Sequence, residues 1–264
     1  IDAQVGRVII ACHDINPEVY EKGVRKLQSA GIEVIFGMLE QEAIASHAGF
    51  FTRISKNRPF VCLKQAISSD GMIASAPGVR TQISGADARG YLHELRATYD
   101  AVAVGINTVL ADDPLLTTRL IGVEHNIVRV IFDSELKIPL TSKLVQTARD
   151  YPLWVLHKGG GKAAKAALMD YGVRLFETGA CLQSALKVLA DEGITRLLVE
   201  GGARLHHSFI QSGLYDEVQI LKSYNPLGQG GFKGAAFNFD VLTLKEKRDL
   251  GEDMLCVFCH CEEA

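Results

Sequence analysis

The stretch that most limits what this chain can fold into reads TRLLVEGGARLHHSFIQS, residues 195–212. Leu197, Leu198 and Val199 form a short apolar run of the kind buried on both faces of a parallel sheet. Glu200, Gly201 and Gly202 interrupt it, after which Leu205, Phe209 and Ser212 recur at helical spacing until Gly213 stops them. The pattern predicts a strand, a glycine turn and a helix, and hence an α/β fold. Paired glycines let a ligand approach the main chain, and the free N–H groups that open the next helix favour an anion such as a nucleotide phosphate. Glu200 stands at the carboxyl end of the strand, where open α/β sheets hold their ligands. A packing turn with a surface carboxylate is the plainer alternative, because the stretch lacks the full dinucleotide fingerprint.

Composition narrows the function classes. The chain has 264 residues, 47% of them hydrophobic, enough for one large core or two smaller ones. Its 28 basic and 31 acidic residues leave a net charge of -3. Neither a nucleic-acid footprint nor a membrane surface is expected, so an anionic ligand must be met by local placement. No apolar run approaches the roughly 18 residues of a membrane span, and no signal-peptide pattern follows Ile1. A cytoplasmic protein with reduced thiols is the expectation. Cys256, Cys259 and Cys261 lie in MLCVFCHC, which reads as a strand. Alternation would separate Cys256 from the other two, and no second CxxC completes a zinc site, so these read as structural thiols.

Residues 1–57 read as a separate piece. RVIIAC and IEVIF are strands; Asn16-Pro17 would cap a helix whose face carries Tyr20, Val24 and Leu27, and a second helix is expected near 39–47. Such a fragment buries little by itself and reads as the tail of a domain whose beginning is absent. From Arg58 a new α/β unit starts. FVCLKQAISSDG is a strand and MIASAPGVRTQISG a loop, with Ser84 and Asp87 forming a capping pair for the following helix. DAVAVGI is a buried strand that leads into a polar loop, NTVLADDPLLTTR. Strands are expected at 127–132, 153–156, 173–176, 218–224, 241–247 and 254–260, the last two antiparallel, with helices at 162–170 and 184–190. Strands that alternate with helices and then run together imply a mixed sheet with helices on both faces.

Three loops follow strand ends, at 64–71, 107–119 and 200–208, and parallel neighbouring strands would bring them to one crevice. Asp112 and Asp113 suit acid–base work or an ordinary turn before Pro114. Lys64 is either a snorkelling surface group or a cation set against a substrate oxygen, and Arg96 either a crevice cation or a complement to its helix dipole. The run HKGGGK, 157–162, has the wrong glycine spacing for a Walker loop, though Lys158 or Lys162 could seat an adenosine 2′-phosphate. Adjacent His206 and His207 point about 100° apart on a helix and cannot share a metal.

RPFVCLKQAISSDGMIAS, DAVAVGINTVLADDPLLTTR, IFDSELKIP and LLVEGGARLHHSFIQSGLYDEV, in that order, resemble the reductase domain of the bacterial bifunctional riboflavin-biosynthesis deaminase/reductase family. DINPEVYEKG, AGIEV and GFFTR resemble the last segment of that family's zinc deaminase domain. The resemblance implies a deaminase remnant over 1–57 and a reductase domain over 58–264 with a dihydrofolate-reductase-like fold. It also implies NADPH-dependent reduction of 5-amino-6-(5-phosphoribosylamino)uracil to its ribitylamino product. Lys64, Asp112 and Glu200 match catalytic positions. Arg80, Arg96, Leu116, Arg119 and Glu200 match substrate contacts. Ala66, Gln82, Thr108, Asp112, Ser134, Gly202, Ala203, Arg204, Leu205, His206, His207 and Ser208 match cofactor contacts. Arg80 and Gln82 stand where relatives often carry Ser and Trp. A zinc deaminase needs H-x-E followed by P-C-x-x-C; this chain lacks that pair, so zinc is implied only for a protein with a complete deaminase domain. The alternatives are such a longer bifunctional enzyme, a reductase that acts before deamination, or a non-catalytic nucleotide-binding or assembly module that kept the fold. A homodimer on a small phosphorylated ribosylaminopyrimidine substrate is the expected assembly.

Overall fold

The structure is a computed structural model and describes residues 1–120, 122, 126–179, 181–228 and 230–260. The first unit holds β1 (Arg7–Ile10), α1 (Lys22–Ser29), β2 (Glu33–Phe36), α2 (Glu40–Ser46) and α3 (Ala48–Lys56). Its two strands pair in parallel and form a sheet of their own. Asn16 does not cap α1. Its Oδ1 accepts from the Glu18 amide at 3.0 Å to close a turn, and the helix begins only after left-handed Glu21, φ 55°. The sequence reading missed α3, whose Gly49 packs so tightly on the next unit that a Cβ there would lie 2.6 Å from Arg196 Cγ. Arg53 Nε also donates to the Ala190 carbonyl at 2.8 Å.

The larger unit contains β3 (Phe60–Ile67), β4 (Met72–Ala74), α4 (Ala86–Ala97), β5 (Ala101–Gly105), α5 (Ile106–Asp112), β6 (Val128–Phe132), α6 (Lys143–Gln146), β7 (Leu153–His157), α7 (Lys162–Asp170) and β8 (Arg174–Glu177). It continues with α8 (Leu182–Asp191), β9 (Arg196–Gly201), α9 (Ala203–Ser212), β10 (Glu217–Ser223), β11 (Phe232–Lys233), β12 (Leu242–Leu250) and β13 (Asp253–His260). Nine strands form one mixed sheet in the order β12-β13-β10-β3-β9-β5-β6-β7-β8. The strands from β10 to β8 are parallel, and the β12–β13 hairpin adds two antiparallel edge strands.

Both faces are covered. One buries Cys62, Val102, Val104 and Leu198 against Leu95 and Tyr99, with Leu144 and Leu168 beyond. The other buries Val61, Leu63, Ala103 and Val199 against Leu186, Leu189 and Phe209 from α8 and α9. Each large apolar side chain removed from water contributes about 2 kcal/mol. Among the described residues no helix is long and apolar enough to cross a membrane.

Three local readings change. The expected loop from 107 is helical as far as Asp112, because Val109 is buried under it and left-handed Asp113 with Pro114 ends it. Met72–Ala74 is a strand because it pairs with the distant β11. Ser84 does not cap α4; Gly85 does, and its N–H donates to Asp253 Oδ2 at 2.7 Å from the far end of the chain.

Carboxylates close the lower, amino-terminal edge of the sheet. Asp100 Oδ2 accepts from the Thr195 amide and hydroxyl and from the Arg196 amide, at 2.6–2.9 Å. Asp216 takes both Nη atoms of Arg58, at 2.6 and 2.8 Å, and the Val61 amide at 2.9 Å. Burial opposes the Asp216 charge, but Arg58 and the amide hold its carboxyl below the ordinary range. The stability it contributes is therefore present above the unfolded carboxyl pKa and is lost as pH falls through the lower folded one. Asp216→Asn should cost about 3 kcal/mol in urea unfolding at pH 7 and flatten the loss of stability in acid. An unchanged midpoint contradicts this role.

Candidate active site

The upper edge is where the parallel strands β3, β9 and β5 end. β3, β9 and β5 lie side by side, in register at Leu63, Val199 and Ala103. The loops that leave them therefore start at one place. The helix after β3 lies on one face of the sheet and the helix after β9 on the other, which is the arrangement that opens a crevice in an α/β sheet. The three loops named from the sequence meet there.

Glu200 is the extra residue of a bulge, since Val199 pairs with Ala103 and Gly201 with Val104. Arg96, in the last turn of α4, grips it with Nε on Oε1 at 2.6 Å and Nη2 on Oε2 at 2.7 Å. Both side chains are 8% exposed. The third guanidinium nitrogen donates to the Thr117 carbonyl at 2.8 Å. Arg96 and Glu200, both expected as substrate contacts, thus spend most of their hydrogen bonds on each other. Burial opposes the charge on Glu200, yet Arg96, with Lys64 and His93 behind it, holds the carboxyl below its ordinary range.

Lys64 is buried on β3, and its ammonium makes no hydrogen bond among the described residues. Burial lowers its pKa, Glu200 raises it and Arg96 lowers it again. A buried cation without a direct partner is costly, and sites of chemistry are where such groups persist. Asp112, at the end of α5, is raised by burial and drawn down by Arg80, which places the Arg80 charge beside it. Leu116 is buried at φ 55°, and with Asp113 at φ 40° it turns the loop so that Thr117 meets Arg96. Arg119 is exposed next to His93.

The glycine turn and α9 form the second half of the site. Gly202 has φ 96°, and a Cβ there would sit 3.3 Å from Thr108 Oγ1. It caps α9 with no side-chain bond, so the first amides of that helix are left for a ligand. Ala203 and Leu205 are half-buried, while Arg204, His207 and Ser208 are exposed along the rim. His206 is different. It is 3% exposed and its Nε2 meets the Val199 carbonyl at 3.2 Å, so its ring faces the sheet and not the crevice, and burial brings it down to about 4. Ala66 is half-buried two residues above Lys64. Ser134 is exposed beyond β6, and its carbonyl accepts from the Lys158 amide at 3.1 Å, which joins the HKGGGK loop to the same edge. Gln82 is exposed and lines a small cleft with Ser68, Ser84, Ser223 and Asn225. Sequence reasoning missed His93; its spacing from Arg96, one helical turn, was the available signal.

Residues 59–256 match the model of the RibD C-terminal domain. The chain belongs to the RibD family. It is 37% identical to the riboflavin biosynthesis protein RibD of Aquifex aeolicus over 98% of this chain and 74% of that one. It is 33% identical to the Actinobacillus pleuropneumoniae protein of the same name over 97% and 71%. In three dimensions it resembles Acinetobacter baumannii RibD, with TM-score 0.88 and 33% identity over 99% of this chain and 74% of that one. It also resembles a Thermotoga maritima diaminohydroxyphosphoribosylaminopyrimidine deaminase/5-amino-6-(5-phosphoribosylamino)uracil reductase, with TM-score 0.84 and 29% identity over 98% and 73%. As a RibD protein the chain is a reductase of riboflavin biosynthesis, and every crevice residue named above lies within the matched domain.

Lys64 should titrate below the other lysines when followed by NMR of labelled side chains. Glu200→Gln removes the charge that supports the ammonium and should move the Lys64 titration further down. A Lys64 that titrates with the surface lysines in both proteins contradicts the geometry.

Proposed function

We propose that this RibD chain uses NADPH to reduce the ribosyl group of 5-amino-6-(5-phosphoribosylamino)uracil to the ribitylamino product. The observation that carries the reading is the unpartnered Lys64 ammonium, buried beside the Glu200–Arg96 pair where three loops meet. The paired glycines, the uncapped start of α9 and Thr108 suit a dinucleotide's pyrophosphate. Ser134, with Lys158 and Lys162 at the neighbouring strand end, suits the adenosine side and favours a 2′-phosphate. NADPH would supply the hydride.

The residues of the chain divide the remaining work. Opening of the ribose ring leaves a C1′=N bond; hydride at C1′ and a proton at nitrogen give the secondary amine of the ribityl product. Lys64 polarises that nitrogen or the opened ring oxygen, and its lowered pKa makes the proton easier to give up. Glu200 keeps enough negative charge nearby for Lys64 to stay protonated, and Arg96 fixes the carboxylate in one orientation. Asp112, raised by burial, can pass protons to and from solvent. The buried floor of the crevice keeps water from the C1′ centre.

Residues 1–57 are the end of a deaminase-like domain in this reading. The family match leaves them outside the reductase domain; β1 and β2 form a parallel pair of their own with α1 against β2, while α3 packs on the larger unit.

Purified protein should oxidise NADPH when given the uracil ribotide, with a clear preference over NADH. Lys64→Met should lower kcat by about a hundredfold or more while NADPH still binds. No NADPH oxidation with the ribotide, or full activity of Lys64→Met, overturns the proposal. Faster turnover of the ribotide that still carries its 2-amino group would indicate reduction before deamination.

A further inference from the structure

We propose that Arg129 is a positioning residue for the reaction: from outside the crevice its guanidinium holds the Leu115 carbonyl and, together with Arg96 on the Thr117 carbonyl, keeps Leu116 left-handed. Only the identity of the molecule that meets this loop rests on the reduction reading. Arg129, on β6, is completely buried, and among the described residues it has no carboxylate partner. Its Nη2 donates instead to the carbonyls of Leu144 and Thr147, each at 3.2 Å, and of Tyr151 at 2.5 Å. Nη1 donates to Thr147 Oγ1 at 2.9 Å and to the Leu115 carbonyl at 3.3 Å. Burial lowers its pKa to about 10, with Tyr151 and Asp150 opposing, so the guanidinium is charged at neutral pH. A buried cation is expensive, and the dipole of α6, a helix of four residues, repays little of the cost.

The loop it reaches is strained. Asp113 has φ 40° and Leu116 φ 55°, a conformation that is costly for a leucine and persists only where the surroundings fix it. Here they do so on both sides. Arg129 takes the carbonyl before Leu116, and Arg96 Nη1 takes the carbonyl after it at 2.8 Å. The buried Leu116 side chain shares its core with Leu144 and Val145 of α6. At the exposed end of the loop Asp113 Oδ1 accepts from the Lys143 amide at 2.8 Å, and Lys143 Nζ donates to the Asp113 carbonyl at 3.3 Å. Arg96 is itself forked on Glu200. Two guanidinium groups thus grip carbonyls two residues apart, one from the core and one from the crevice. Without Arg129, Leu116 relaxes to right-handed backbone, the Thr117 carbonyl turns from Arg96, and the loop loses its shape as a wall of the site. A lysine cannot replace the fork, since one ammonium does not span acceptors on α6, the turn at Tyr151 and the loop together.

Arg129→Lys in the whole chain tests this, with a melting curve to establish that it folds. Backbone NMR of Leu116, read from its HN–Hα coupling and Cα and Cβ shifts, should show it leaving the left-handed region. KM for the uracil ribotide should rise about tenfold, with a smaller fall in kcat and an unchanged dissociation constant for NADPH. Asp113→Ala frees the exposed end of the loop without disturbing the core; it should move Leu116 the same way and raise KM about threefold. In a Leu116→Gly background, where positive φ carries no penalty, Arg129→Lys should raise KM much less than it does alone.

Leu116 left-handed with KM unchanged in Arg129→Lys, equal losses of affinity for ribotide and NADPH, or the same effect of Arg129→Lys in the Leu116→Gly background overturns the assignment. If Arg129→Lys does not fold, Asp113→Ala decides: movement of Leu116 with a raised KM supports the clamp, and neither overturns it. If Leu116 leaves the left-handed region as described but the parent protein oxidises no NADPH with the ribotide, the reduction reading fails alone. If the parent turns over and Leu116 keeps its conformation in Arg129→Lys, the positioning role fails alone.

Discussion

Lys64, Arg96 and His93 stand around Glu200 at the upper edge of the sheet, and among the described residues Arg96 alone holds it by side-chain hydrogen bonds. Taking charged groups out of water is expensive, and hydrogen bonds recover the cost for the Arg96–Glu200 pair but not for Lys64. The forked geometry of that pair fixes the end of α4 against the end of β9. Lys64 then sits within the field of one carboxylate and one guanidinium, which push its proton in opposite directions. In the proposed reduction such a cation would polarise a substrate atom, because the substrate would supply the partner that the fold withholds.

The order of the strands puts these groups together. Lys64, Arg96, Asp112 and Glu200 span 137 positions of the sequence, yet β3, β9 and β5 are neighbours in the sheet. The chain leaves β5 for β6, β7 and β8 on one side, returns to insert β9 in the middle, and only then adds β10 on the other side of β3. That return opens the crevice, since α4 and α9 approach the same edge from opposite faces. At the lower edge Asp100 and Asp216 are engaged by hydrogen bonds from neighbouring segments, while the upper edge gathers Lys64, Arg96 and Glu200.

Much of this could be read from the residues. The run around Leu198, the glycine pair and the helix to Ser212 lie where their spacing indicates, because strand burial, positive φ at Gly202 and the left-handed stop at Gly213 are local properties. The convergence of three loops was legible as soon as the strands were taken as parallel neighbours. Long-range partners were harder to see. β4 exists because β11 lies beside it, and Gly85 caps α4 because Asp253 arrives from the far end of the chain. Helix α5 is seven residues with one buried side chain, too short for a periodic signal. The inward turn of His206 follows from the Val199 carbonyl beneath it, which no spacing in the sequence announces.

The most direct test is a crystal structure of the protein with NADP⁺ and the ribitylamino product bound together. The account predicts that the sugar C1′ lies roughly 3.5 Å from the nicotinamide C4, within reach of Lys64. It also predicts the pyrophosphate on the amides after Gly202. Product bound on a different face, or a nicotinamide ring far from Lys64 and Glu200, would contradict it.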